Sequence, residues 1–402
     1  MTKRVAIVGA GPVGMVCALA LNRRGVPVTV LEQEPAPVED QRAASLHPST
    51  LEMLDDLGIT EKIIPLGLIS SAYRFHDRVT HSVVAEFDLG LMKDEYRFPF
   101  VLQYEQYKLT ASITAEYANA GDFDVRFSHT VTGLTETADG VELEVNSPDG
   151  IEKIRADYVI GCDGGRSTVR KCLGIEFEGY TWPERFLVLT TLFDFERALG
   201  CCPRSYISDP EEWTNLFKVM GDDLKGRWRA VFPARENETD EEAFSEAAVH
   251  RRMRKLSQDH AMELLVHRNI YRVHQRVAKA FRSGRVFLAG DAAHVNNPVG
   301  GLGLNCGIHD ALEIAETLRL VASGEAGEEL LDRYERRRRP LNIEYVQQQT
   351  VANKKRLEEQ DPRVRRANFD ELRRAAEDPR LHKQFLMRTS LIESARKAAR
   401  IA

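Results

Sequence analysis

The sequence predicts an α/β fold: a Rossmann-like domain, an inserted mixed β-sheet domain and a helical C-terminal region. Three observations predict it. A four-residue apolar run, Val5–Val8, leads directly into Gly9-Ala10-Gly11-Pro12-Val13-Gly14 and a helical stretch. Two later apolar runs, Tyr158–Ile160 and Val286–Ala289, also end in loops of glycine and aspartate. Residues 72–100 and 180–235 are rich in strand formers, while the chain beyond Glu325 is helical in composition.

Each element follows from local pattern. Val5-Ala6-Ile7-Val8 is apolar at every position, as a strand buried on both faces of a parallel sheet must be. The glycine loop opens a helix over about 13–24, stopped by Gly25, and Val28–Leu31 forms a second strand ending at Glu32. Such a β-α-β unit crosses over right-handed. Thr50–Leu57 has helical spacing closed by Gly58, and Tyr107–Ala120 is helical and ended by Gly121. Val125–Val145 gives short strands about the turn Asp139-Gly140. A hairpin at Asp149-Gly150 leads on to the strand Tyr158–Ile160. Residues 180–235 hold all three tryptophans (Trp182, Trp213, Trp228) and read as an antiparallel, substrate-facing sheet. A charged helix is expected over 240–265, then the buried strand Val286–Ala289 and a helix from Gly303 to Val321.

Composition narrows the functional classes. The 402 residues carry a formal net charge of −6, so no strong overall field recruits nucleic acid. The tail from Glu325 is different, with 19 Lys and Arg against 14 Asp and Glu. Its run Arg336–Arg339 looks like a nucleic-acid patch, and more plainly like a solvated helix face ended by Pro340. Six cysteines are scattered without a CxxC pair, which argues against a disulfide framework or a metal site and for a reducing cytoplasm. No run of about 18 apolar residues exists, and the glycine loop interrupts the place of a signal peptide's apolar region. The expectation is a soluble cytoplasmic protein with no membrane span.

Three motifs carry chemistry. Gly9, Gly11 and Gly14 fit G-x-G-x-x-G between a strand and a helix, where the first permits a tight turn and the second a close approach to a pyrophosphate. The third allows helix and strand to pack, and the helix N-terminus supplies positive potential. Glu32 stands where a carboxylate accepts both ribose hydroxyls and repels a 2′-phosphate, so the pocket suits FAD or NAD. The second motif is Cys162-Asp163-Gly164-Gly165-Arg166-Ser167-Thr168-Val169-Arg170. The third is Gly290-Asp291-Ala292-Ala293-His294, continuing through Pro298-Val299-Gly300-Gly301-Leu302-Gly303-Leu304-Asn305. Either Asp-Gly pair alone reads as a plain turn. The glycines at 300, 301 and 303, leading into a helix, make a backbone-lined pocket for an anionic or electron-rich ring system.

In this order the motifs resemble the single-component flavin-dependent aromatic hydroxylases of the para-hydroxybenzoate hydroxylase fold, over roughly residues 1–325. The resemblance implies FAD as cofactor and NADH or NADPH as a transient reductant without a Rossmann domain of its own. It implies a flavin C4a-hydroperoxide, formed from dioxygen, that hydroxylates a small phenolic or hydroxylated N-heteroaromatic substrate. It also implies roles for single residues. Glu32 binds the adenosine ribose, Arg42 the pyrophosphate and Gln106 the ribityl side of FAD. Asp163 serves both FAD and the nicotinamide cofactor, and Asp291 holds the ribityl hydroxyls. Pro298 and the glycines after it, Gly301 and Gly303 included, border the flavin ring where oxygen reacts. The backbone amides around Leu302, Gly303, Leu304 and Asn305 meet its pyrimidine edge. Residues 1–71, 101–179 and 280–325 would form a discontinuous FAD-binding domain, 72–100 and 180–279 the substrate domain, and 326–402 the helical C-terminal region. A monomer or homodimer with no bound metal is expected.

A base or acceptor that activates a phenol is sought among His47, Tyr73, Tyr206 and His294. His47 follows the pyrophosphate arginine and faces the flavin, or else only fixes its own turn. His294 orients the Gly-Asp loop, and Tyr206 sits in the substrate sheet. Among Arg185, Arg204, Arg227 and Arg229, one could clamp a carboxylate in bidentate fashion. The rival chemistry is a flavin-dependent halogenase or double-bond reductase of the same fold. Halogenases carry W-x-W-x-I-P, and Trp228-Arg229-Ala230-Val231-Phe232-Pro233 keeps only the first tryptophan and the proline. A non-enzymatic dinucleotide-binding module would need the glycine fingerprint alone.

Overall fold

The computed structural model describes residues 3–39, 43–259 and 262–402. Its centre is a six-stranded sheet in the order Arg282–Ser283, Val286–Leu288, Tyr158–Gly161, Val5–Val8, Val28–Leu31, Phe123–Arg126. All neighbours run parallel except the short Arg282–Ser283 edge. The three apolar runs lie side by side there, fully buried, and this explains their lack of alternation. Helices Pro12–Asn22 and Gly303–Ala322 pack against each other and complete the main core.

A three-stranded antiparallel meander, Thr130–Glu136, Val141–Ser147 and Gly150–Ala156, links Phe123–Arg126 to Tyr158–Gly161. The second large layer is an eight-stranded mixed sheet. Its long inner pair is Phe177–Thr191 against Leu265–Ala278, with short His294–Val295 on the outer side of the latter and, beyond the former, Arg227–Ala234, Thr214–Val219, Arg204–Ser208, Ala72–Asp77 and Ser82–Asp88. One pair in it, Arg204–Ser208 with Ala72–Asp77, is parallel.

Two sequence expectations need correction. The charged helix over 240–265 is two helices, Asp240–Phe244 and Glu246–Leu256, and the chain is back in strand by Leu265. Ser245 breaks it, accepting from Ala248 as the N-cap of the second helix. Pro340 does not end its helix either: it lies inside Asp332–Asn342, which passes through a π-helical stretch, Ile343–Gln347, into Gln348–Glu358. Nor is Arg336–Arg339 a solvated face. Arg337 binds Glu313, Arg338 reaches buried Asp310, and Arg339 donates to the carbonyl of Ala278. Three further helices, Pro362–Glu377, Pro379–Thr389 and Ile392–Ala399, follow. Phe369, Leu372 and Leu386 from them pack on Tyr73 and Phe87 of the mixed sheet. Among the described residues no helix is long and apolar enough to cross a membrane.

Candidate active site

The first glycine loop is built by steric necessity. A Cβ on Gly14 would lie 2.0 Å from the carbonyl oxygen of Gly9, and one on Gly9 2.6 Å from that of Cys162. A Cβ on Gly11 would meet no protein atom within 4 Å. Gly11 borders a cleft of about 360 Å³ instead, at the start of a helix with Pro12 in its first turn and no acidic residue there. Glu32 closes the loop from behind. Its Oε2 accepts from the amide of Ala10 at 2.6 Å and its Oε1 from that of Glu34 at 3.0 Å, leaving a second lone pair on each oxygen.

The second motif is drawn tight by Asp163, which accepts from Ser167 Oγ at 2.6 Å and the amide of Val169 at 3.0 Å. Arg170 is the residue sequence reasoning passed over. It is 5% exposed, lies 3.8 Å above the Phe177 ring, and donates to the carbonyls of Gly165 and Ala292. It therefore ties the second motif to the third.

Gly290–Ala292 forms a single tight turn that exposes Asp291 to the cleft. Behind it Asp310 accepts from the amide of Gly290 at 3.2 Å, His294 Nε2 at 2.6 Å and Arg338 Nε at 2.7 Å. Burial alone would raise the Asp310 pKa, but Arg338 and His294 outweigh it and hold it below the usual carboxylate value. For His294 burial opposes the charged form, yet Cys306 and Asp310 push its pKa up to about 10. His294 is thus a loop-orienting residue, 1% exposed and outside the cleft lining. His294, Cys306 and Asp310 place three ligand-type atoms within 4.8 Å of one another. The Arg338 guanidinium donates to both Asp310 and Cys306, so two of the three groups already face a cation.

The turn from Pro298 to Gly301 is held from several directions. Gln275 Oε1 accepts from the amide of Asn297, and Asn353 of the tail donates to the carbonyl of Val299. Asn305, fully buried, donates to the carbonyls of Ser45 and Gly301 and accepts from the amide of His47. The carbonyl of Gly300 accepts from Arg204 Nη2 at 3.0 Å and lies 3.1 Å from His47 Nε2. His47 therefore does not fix its own turn: its ring makes no capping bond to the helix Pro48–Asp55.

The cleft runs between the carboxyl ends of the central strands and the mixed sheet, the position at which open α/β sheets take ligands. Gln106, Pro298, Gly301, Leu302, Gly303 and Leu304 line its inner wall, and Asn215, Phe217, Arg229 and Tyr271 the opposite one. Gly9, Gly14, Glu32, Asp163 and Asn305 are not part of this lining, and Arg42 lies outside the described residues. Arg204, Tyr206, Gly300 and Leu302 also border a second, small cavity of about 20 Å³. Its other walls include His47, Tyr73, Phe75, Asn353, Phe385 and Thr389. The tail residues among them carried no sequence signal, because their place depends on contacts with residues far off in the chain. Tyr73 donates to or accepts from Thr389 Oγ1 at 2.6 Å, and burial pushes its phenol pKa up, so it is a poor base. Of the other arginines, Arg185 pairs with Asp240 and Arg227 with Asp223, leaving Arg204 and Arg229 at the cleft. Trp228, 1% exposed, packs with Leu187 and Phe195 in a core away from the cleft lining.

The family model described as "FAD binding domain" matches residues 2–349. The chain belongs to the FAD binding domain family. Within it, the chain is 32% identical over 394 residues to para-nitrophenol 4-monooxygenase of Pseudomonas sp. (strain WBC-3), covering 95% of this chain and 94% of that one. It is 32% identical to 6-hydroxy-3-succinoylpyridine 3-monooxygenase of Pseudomonas putida (strain DSM 28022 / S16), over 90% and 91% of the two chains. It is 34% identical to 3-(3-hydroxy-phenyl)propionate/3-hydroxycinnamic acid hydroxylase of Mycobacterium sp. (strain JLS), of which it covers 57%. The crystal structure of p-nitrophenol 4-monooxygenase from Pseudomonas putida DLL-E4 superimposes with a TM-score of 0.87 at 30% identity, over 98% of both chains. As an FAD binding domain family member of this kind, the protein is a flavoprotein monooxygenase of the aromatic hydroxylase superfamily. The cleft fits FAD on its own terms: the helix N-terminus at Pro12, the open space before Gly11 and the exposed Asp291 all face it.

Proposed function

We propose that this flavoprotein hydroxylates a small phenolic or hydroxylated N-heteroaromatic ring, with NADH or NADPH as reductant and dioxygen as oxygen source. One observation carries the reading: the small aromatic-walled cavity shares Arg204, Tyr206, Gly300 and Leu302 with the FAD cleft. A ring held at that border sits against the Pro298–Gly301 turn, the segment that the family resemblance gives to the flavin. Tyr206 stacks on Phe75 with ring centroids 5.1 Å apart, which gives the border a flat aromatic face.

FAD, when bound, accepts hydride from the reductant and activates dioxygen. The chain's own residues bind, orient and exclude water. The amides beginning the helix at Pro12 receive the pyrophosphate, with Arg42, and Glu32 orders the loop while accepting from the ribose. Gln106 and Asp291 hold the ribityl chain. The first-turn amides at Gly303, Leu304 and Asn305 face the pyrimidine edge, where the helix end favours negative charge. Pro298 and Gly301 shape the wall on which oxygen reacts. In this reading residues 1–71, 101–179 and 280–325 form the FAD-binding domain, and 72–100 with 180–279 the substrate domain. The six cysteines, all free thiols, accord with a cytoplasmic location.

The test is NAD(P)H oxidation by the purified yellow protein across phenolic and hydroxypyridine rings under labelled dioxygen. Faster oxidation with one labelled oxygen atom in the product supports the reading. Chlorination, or reduction of an isoprenoid double bond without oxygen insertion, would replace it with the halogenase or reductase alternative.

A further inference from the structure

Two buried nitrogens at the border of the cavities have no hydrogen-bond partner: Nδ1 of His47 and Nη1 of Arg204. The residues are 2% and 5% exposed. An unmade bond at such an atom costs about 1–3 kcal/mol, and more for a charged donor. Other buried polar atoms are also unpaired, but these two share a second property. His47 Nε2 and Arg204 Nη2 are both anchored on the carbonyl of Gly300, Nη2 also donating to the Tyr206 hydroxyl at 2.9 Å, and each residue lines the small cavity.

The anchor fixes the chemistry of the pair. A carbonyl oxygen only accepts, so Nε2 of His47 carries the proton and Nδ1 is left with a bare lone pair. Burial first, and then the charge of Arg204, hold the imidazole pKa well below its ordinary value, so the ring is neutral at pH 7. The two side chains that meet at the Gly300 carbonyl therefore offer one acceptor and one cationic donor. A carboxylate would satisfy Arg204 and leave Nδ1 facing an anion. An amine would satisfy Nδ1 and leave the guanidinium facing a poor acceptor. A hydroxyl does both, giving its hydrogen to Nδ1 and accepting from Nη1.

From this we infer that His47 and Arg204 together read a ring hydroxyl of the substrate. The inference rests on the aromatic monooxygenase reading and deepens it. The cavity volume of about 20 Å³ fits the same assignment, because it has room for one water-sized group. The hydroxyl enters it, and the body of the ring stays in the larger cleft across Gly300 and Tyr206. Nδ1 favours the neutral hydroxyl and the guanidinium the phenolate, so the two side chains pull on its ionisation in opposite directions.

The pair is tested on the FAD-loaded protein by titrating 4-nitrophenol and 4-nitroanisole, which differ only in the methyl on the ring oxygen, and following the flavin spectrum. The wild type should bind the phenol at least about tenfold more tightly, as a site built around a hydroxyl does. In His47→Phe and in Arg204→Met that preference should fall to within about threefold while FAD stays bound. The absorbance of bound 4-nitrophenol against pH gives a second readout. Its ionisation should move up in Arg204→Met, move down in His47→Phe, and stay near the wild-type value in Arg204→Lys. If either substitution releases FAD, His47→Asn and Arg204→Gln take its place with the same expectations. Equal affinity for the two rings, no binding of either, or a preference that survives both substitutions would overturn the inference. Turnover of some ring with labelled oxygen alongside any of those results would leave the monooxygenase reading standing, whereas no substrate-stimulated NAD(P)H oxidation on any ring would remove that reading itself.

Discussion

Arg338 donates through Nε to Oδ1 of Asp310 at 2.7 Å, joining a tail helix to the helix that follows the third glycine motif. The other oxygen of Asp310 takes His294 and the amide of Gly290, so the tail is bonded at one remove to the turn that presents Asp291. Both partners are almost fully buried. Breaking a buried pair by removing one partner leaves an uncompensated charge, at a cost of about 3–5 kcal/mol. Arg338→Met should therefore lose about that much stability in urea unfolding, and should retain less flavin after gel filtration. Wild-type stability and flavin content in the variant would show that the tail does not support the turn.

His294 sets a pH window. Its pKa is raised from 6.5 to about 10, so its stabilising contribution is complete below about pH 6.5 and is lost as pH rises through about 10. Urea-unfolding free energy should fall across that interval in the wild type. His294→Asn should be less stable at pH 6.5 and show a flatter dependence. Equal slopes in the two proteins would mean that His294 is neutral in the fold.

The glycine triplet separates folding from cofactor binding. Gly14→Ala drives a methyl to 2.0 Å from the Gly9 carbonyl and should lower thermal stability as well as flavin content. Gly11→Ala meets no protein atom within 4 Å, and its fold stability should change by only a few tenths of a kcal/mol, roughly. Its methyl nevertheless projects into the cleft where the proposed function puts the pyrophosphate, so it should purify nearly colourless. A yellow Gly11→Ala protein would move the pyrophosphate elsewhere.

Asp291→Ala should remain folded and lose most of its FAD, since the side chain is exposed to the cleft rather than part of the core. Glu32→Ala should weaken FAD binding by about 1–3 kcal/mol, through the ribose and through the amides of Ala10 and Glu34 that it orders. Fluorescence titration of the apoprotein with FAD measures both. Unchanged dissociation constants would take either residue out of the site.

The parts of this protein legible in its sequence are those whose cause is local. Val5–Val8, Tyr158–Gly161 and Val286–Leu288 are apolar throughout because both faces of their sheet are covered, and the spacing of Gly14 from Gly9 records a backbone contact between near neighbours. The strand Leu265–Ala278 was not legible in the same way. Its charged residues, Arg268, Arg272 and Arg276 among them, belong equally to a solvated helix, and pairing with Phe177–Thr191 makes it a strand. The arginine run Arg336–Arg339 misled for a related reason: it promises solvent, and its partners lie up to 161 positions away. Asn353 and Phe385, which close the small cavity, depend on the same long-range packing.

The bond between Arg338 and Asp310 also orders events during synthesis. A nascent chain that has reached residue 325 already contains all three glycine motifs, but the guanidinium that neutralises Asp310 is still to come. The ribosome thus makes Asp310 and the Gly290 turn at least 28 residues before the guanidinium that pairs with them, so this corner of the fold stays incomplete until the tail has emerged.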